Sequence, residues 1–119
     1  MCATMPAVVL HLRIVVEPER RDELLAFLRD ARDYYDQPGG IRMRLLQDAD
    51  DENALTEVFE YDSFEAYTAD EQRVASDPVM KAVLAKWRSL LKGNPTVETY
   101  IDLTETELAG DAPTNESQD

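Results

Sequence analysis

At 119 residues and 13.5 kDa the chain is one domain by length, enough to bury roughly two thirds of its unfolded surface in a single core without a metal or disulfide. Twenty-five Asp and Glu against 12 Lys and Arg give a net charge of −13, with no clustered basic footprint, so nucleic acid is excluded as a partner. The hydrophobic fraction of 44% is that of an ordinary globular protein, so the 31% charge does not signal disorder.

Lysine is scarce, confined to Lys81, Lys86 and Lys92, while acids crowd the expected helix exteriors and turns: Asp22, Glu23, Asp30, Asp33, Asp48, Asp50, Asp51 and Glu52. Two origins fit that pattern, a halophilic host or an acidic mesophilic protein. The single Cys2 has no partner for an internal disulfide and is given no role. Near the N-terminus the apolar run is interrupted by His11 and Arg13. It is far shorter than the roughly 20 residues that cross a bilayer, and nothing frames it as a signal peptide. A cytoplasmic protein without a membrane partner is expected.

Val8 to Val16 reads as a strand. Val8, Leu10, Leu12, Ile14 and Val16 share one wholly apolar face, and Val9, His11, Arg13 and Val15 share the other. An apolar face must be covered, and Pro18 opens a helix running to about Tyr35, with Leu24, Leu25, Leu28, Ala31 and Tyr35 at helical spacing. Gln37-Pro38-Gly39-Gly40 stops it.

Ile41 to Gln47 forms the second strand, with Ile41, Met43 and Leu45 on one side and Arg42, Arg44 and Leu46 on the other. An acidic turn, Asp48 to Asn53, returns the chain as a hairpin. The third strand is ambiguous in its facing: Leu55, Glu57, Phe59 and Tyr61 oppose Ala54, Thr56, Val58 and Glu60, and neither set is purely apolar. A helix starts directly after it, capped by Asp62 or Ser63, with Glu65 placed to complete a capping box from Asp62. Asp77-Pro78 then forces a break, with Ser76 or Asp77 capping the restart. Val79, Met80, Val83, Leu84, Trp87, Leu90 and Leu91 mark an amphipathic final helix, with Trp87, Met43 and Met80 as packing residues, and Gly93-Asn94-Pro95 ends it. The fourth strand, Thr96 to Leu103, sets Val97, Thr99, Ile101 and Leu103 against Thr96, Glu98, Tyr100 and Asp102. Residues 104–119 form an acidic tail without apolar periodicity, expected to be disordered.

The order βαββαβ is the ferredoxin-like, split βαβ arrangement: an α+β fold with a four-stranded antiparallel sheet and helices on one face. The other face carries Val9, Val15, Leu46 and Tyr100 among polar side chains, too apolar for open water. Pairing two such faces in a homodimer covers them and encloses a cavity.

The run PGGIRMRLL, an acidic turn and then LTEVFEYDSFEAY resembles the dimeric α/β-barrel superfamily, in particular antibiotic biosynthesis monooxygenase-like domains, over about Val8 to Leu103. Tyr61-Asp62-Ser63 followed by Asp77-Pro78 also resembles the related NIPSNAP-type branch. Many monooxygenase-like members carry a histidine where this chain has Asp70, and haem-degrading members use a helical histidine, whereas the one histidine here, His11, lies on a strand. Haem degradation is thus disfavoured. The family's strand tryptophan corresponds to Phe59 or Tyr61, according to the register.

In the ferredoxin-like order the third strand separates the first and second, which puts His11 and Arg13 about 10 Å from Arg42 and Arg44, twice the strand spacing. One assignment makes His11 a general base for an acidic phenol or enol and the three arginines a clamp on the resulting anion, with Glu98 and Tyr100 orienting substrate or imidazole. The resemblance then implies oxygenation by dioxygen of a small aromatic or polyketide-like compound, with no bound cofactor. The competing assignment makes Arg13, Arg42, Arg44 and Glu98 interface ion pairs and His11 a hydrogen-bonded barrel histidine, in a non-catalytic dimeric module that binds a small ligand or responds to stress. No metal is expected, because one histidine, one terminal cysteine and scattered carboxylates match no ligand spacing.

Overall fold

A computed structural model describes residues 7–36 and 40–108. Four strands form one antiparallel sheet in the order β2-β3-β1-β4: β1 (Ala7–Val15), β2 (Ile41–Asp48), β3 (Asp51–Tyr61) and β4 (Thr96–Asp102). A 3-10 turn (Pro18–Arg20) leads into α1 (Arg21–Asp36), and α2 (Phe64–Ser76) and α3 (Pro78–Ser89) connect β3 to β4. This is the expected ferredoxin-like α+β arrangement, with its second helix in two pieces.

The break between those pieces has the anticipated cause. Asp77 is held in extended backbone before Pro78, and its Oδ1 accepts the Val79 N–H at 2.9 Å, so the residue that cannot stay helical becomes the cap of the next helix. At the start of α2, Ser63 is the cap, its Oγ accepting the Ala66 N–H at 3.1 Å. The capping box expected from Asp62 and Glu65 does not form. Asp62 instead accepts Arg42 Nη1 at 2.6 Å, an ionic partner that a neutral backbone amide cannot match.

The β2–β3 hairpin is tighter than the sequence suggests. Asp48 Oδ1 accepts the Asp50 N–H at 2.8 Å, which turns the chain across Ala49 and Asp50, and Asp51 to Asn53 join β3 rather than the turn. Of the stop after α1, Gly40 is described, at φ +71, and residues 37–39 lie outside the described residues. Beyond β4, Thr104–Leu108 make one wide, exposed helical turn; residues 109–119 lie outside the described residues.

Register decides the facing that β3 left open. Val8, Leu10, Leu12 and Ile14 stand opposite Tyr61, Phe59, Glu57 and Leu55, so that set turns toward the helices. The core is two adjoining clusters beneath them: Ile14, Val16, Leu24, Leu28, Leu55, Trp87 and Leu90, then Val8, Ile41, Phe59 and Tyr61. Leu24 and Met80 are fully buried, as their helical spacing requires. Val79, grouped with the apolar stripe of the last helix, lies in the first turn of α3 and is instead 56% exposed.

The helices pack over β1, β2 and β3 but cover β4 poorly. Val97 and Ile101, which share the helix-side face of β4, remain 59% and 53% exposed. A cleft therefore runs between α2 and the β4 edge.

Candidate functional site

On the open sheet face, β1 presents Val9, His11, Arg13 and Val15 in register with Glu60, Val58, Thr56 and Ala54 of β3. Across the other edge of β1, His11 faces Glu98 and Val9 faces Tyr100. The imidazole and the Tyr100 ring meet edge to face, with centroids 5.0 Å apart. Arg13 reaches Glu98 at 2.9 Å. All six sequence-selected residues thus share this face, with His11, Arg13, Glu98 and Tyr100 grouped on β1 and β4.

Arg42 and Arg44 form a second group around a residue that the sequence did not single out. Glu60, between them and β1, is 3.4 Å from Arg42 Nε and 2.9 Å from Arg44 Nη2, and Asp62 takes a third guanidinium contact. Hydrogen bonding and charge from Asp62, then from Glu60, hold Arg42 still more firmly protonated than usual. Each arginine thus already has a carboxylate partner. That neutralisation weakens any clamp on an incoming anion and suits ion pairing across the sheet. The open face also carries a hollow of about 440 Å³, whose lining includes Arg13, Val15, Leu46, Thr56 and Thr96.

A different polar group lies under the helices. Tyr61, at the end of β3 and 2% exposed, donates its hydroxyl to Asp70 Oδ2 at 2.7 Å; Arg73, one helical turn on, donates to Oδ1 at 2.6 Å. Asp70 is itself 8% exposed. The sequence places it at i+7 from Ser63, on the inner face of α2, and both its oxygens are engaged by donors, which is how a buried carboxylate is tolerated.

This pair borders a chamber of about 390 Å³ in the cleft beside β4, walled by Leu10, Val74, Ala75 and Val97 and by the polar side chains of Tyr61, Tyr67, Asp70, Glu71 and Thr99. Tyr67 stacks edge-on against Tyr61 at 5.3 Å and donates its hydroxyl to Glu71 at 2.9 Å. Burial, then that hydrogen bond, raises the Tyr67 phenol above its ordinary range, so it stays a neutral donor. Volume, aromatic walls and a buried acceptor together suit a small aromatic molecule bearing a hydroxyl group.

Sequence reasoning identified Asp70 only as the residue standing where many monooxygenase-like domains have histidine, and did not pair it with Tyr61. The spacing of Asp70 from Ser63 was the available signal; the partner on β3 was hidden by the ambiguous facing. Among the described residues no group of three or more metal-ligating side chains occurs, and no helix is long and apolar enough to cross a membrane.

Solved structures resemble this fold closely. A conserved protein from Methanosarcina mazei superposes with a TM-score of 0.71 at 17% identity, over 83% of this chain and 95% of that one. SnoaB from Streptomyces nogalater, a cofactor-independent oxygenase, gives 0.64 at 16% identity, over 79% and 90%. A Mycobacterium tuberculosis protein gives 0.63 at 25% identity, over 79% and 92%. No match is found among curated proteins. The profile of the antibiotic biosynthesis monooxygenase family matches residues 7–77, more than half the chain, and the protein belongs to that family.

Proposed function

We propose that the protein is a homodimeric, cofactor-independent oxygenase acting on a small hydroxylated aromatic or polyketide-like compound held in the chamber between α2 and the sheet. The observation that carries this reading is the buried Tyr61–Asp70 pair on the chamber wall, with Arg73 donating to the other oxygen of Asp70. Tyr61 lines the chamber and donates to Asp70, so a substrate hydroxyl that donates to the Tyr61 oxygen lies one relay step from a carboxylate. Loss of that proton leaves an electron-rich enolate or phenolate that reduces dioxygen. One oxygen atom enters a substrate methylene, and the other leaves as water with the two methylene hydrogens; carbon supplies all four electrons. The oxygenase named among the structural neighbours supports the reaction class.

In this reading the open sheet faces of two copies pack together, covering Val15, Leu46 and Tyr100, which are 42%, 44% and 45% exposed in one protomer. A second reading keeps the chemistry on that face, with His11 as base, Arg13, Arg42 and Arg44 around the anion, and Glu98 and Tyr100 orienting it. The contact between the His11 and Tyr100 rings favours it.

Dioxygen uptake and product mass over a panel of hydroxylated polycyclic compounds that each carry a ring methylene separate the two. Asp70→Asn is expected to lower kcat by about 100-fold or more, the usual worth of general-base help, while His11→Ala and Arg42→Ala stay within a few-fold of wild type. The reverse pattern moves the chemistry to the open face. No oxygen uptake with any member of the panel leaves the non-catalytic ligand-binding module.

A further inference from the structure

We infer that the chamber beside α2 selects its ligand by charge, accepting a neutral hydroxylated aromatic and rejecting the carboxylated counterpart, with Asp70 and Glu71 as the selecting residues. The inference rests on reading this chamber as the substrate site and adds the substrate's charge class to it. Among the described residues, the ionisable side chains in the chamber wall are Tyr61, Tyr67, Asp70 and Glu71, and none is a lysine, arginine or histidine. Arg73, which donates to Asp70 Oδ1, is not part of the wall.

An anion entering there meets the carboxylate of Glu71 and that of Asp70, whose charge Arg73 offsets in part, in surroundings where α2 and the sheet exclude part of the water that would screen them. Both tyrosine hydroxyls already point their protons at those carboxylates, Tyr61 at Asp70 and Tyr67 at Glu71, and the Thr99 hydroxyl is bonded to the Tyr67 oxygen, so what the tyrosines offer a ligand is their remaining oxygen lone pairs. Such a wall accepts hydrogen bonds. A phenolic O–H satisfies it, whereas a carboxylate brings only more acceptors and leaves its own charge unpaired. The remaining wall, Leu10, Val74, Ala75 and Val97, is apolar and takes the ring system.

Calorimetric titration of the full chain with 2-naphthol and with 6-hydroxy-2-naphthoate at pH 7.5 tests this. The naphthol is expected to bind at least about tenfold more tightly, with molar salt narrowing the gap. Asp70→Asn and, separately, Glu71→Gln should each tighten the carboxylate relative to the naphthol; Glu71 is exposed, so its variant keeps the fold. Ala75→Trp, at an exposed wall position, should weaken both probes and thereby locate them in the chamber. Equal or tighter carboxylate binding that Ala75→Trp still abolishes overturns the charge selection while leaving the chamber as the binding site. Binding of either probe that ignores Ala75→Trp overturns the chamber itself, and the charge selection with it.

Discussion

Trp87 on α3 donates its indole N–H to Glu57 Oε2 across 2.6 Å, in a layer where Glu57 is only 2% exposed. The register neighbours of Glu57 on the sheet are Leu12 and Leu45, so apolar strands flank the carboxyl and a single aromatic donor faces it. Desolvation lifts its pKa to about 7, and the Trp87 hydrogen bond opposes that rise. The core therefore holds a group that changes charge near neutrality.

Stability should follow that titration. A carboxyl with a raised folded pKa binds more protons folded than unfolded between about 4.5 and about 7, so its contribution falls as pH climbs through that window and levels off above it. The cost at pH 8 is on the order of 3 kcal/mol. Glu57→Gln keeps an acceptor for the indole and removes the charge; denaturant unfolding from pH 5 to 8 should show a flatter profile in the variant. Parallel profiles would mean that Glu57 ionises as freely folded as unfolded.

Trp87→Phe keeps most of the ring and removes the donor. With its indole partner gone, Glu57 loses a stabiliser of its charged form, so the variant should lose about 1–3 kcal/mol at pH 8 and less at pH 5, where the carboxyl is neutral. Urea midpoints at the two pH values check the difference. In the double variant with Glu57→Gln the pH dependence of the loss should vanish.

Asp77 closes α2 with its backbone N–H on the Arg73 carbonyl and caps α3 with its side chain. Asp77→Ala removes the acceptor of the Val79 N–H and should cost about 1 kcal/mol, read as a lower thermal midpoint with the circular dichroism spectrum unchanged. Asp77→Asn, which also caps, should restore most of it.

The proposed pairing of open sheet faces predicts a concentration-dependent mass. Light scattering should give twice 13.5 kDa for the wild type, and the combined changes Leu46→Glu and Tyr100→Glu, both at exposed positions, should return it to one protomer. A wild-type monomer would remove the barrel.

If the excess of 25 acids over 12 bases reflects adaptation to salt, the unfolding midpoint should rise steadily from dilute to molar KCl. A midpoint that stays flat points to an ordinary acidic protein.

Element order was legible from the sequence because it is written locally. Period-2 alternation marked β1 and β2, 3.6-residue spacing marked α1 and α3, and Pro78 announced its own break. The faces of β1 and β2 followed too, which is why His11, Arg13, Arg42 and Arg44 share a side of the sheet as expected. What periodicity cannot carry is the identity of the neighbour across a gap. In β3 both faces mix polar and apolar residues, so only pairing with β1 turned Glu57 and Tyr61 toward the helices and Glu60 toward the arginines. The chamber draws Leu10, Tyr61, Asp70 and Val97 from four separate elements. Their meeting is fixed by strand register and by helices that stop short of β4, and both depend on contacts between residues far apart in the chain.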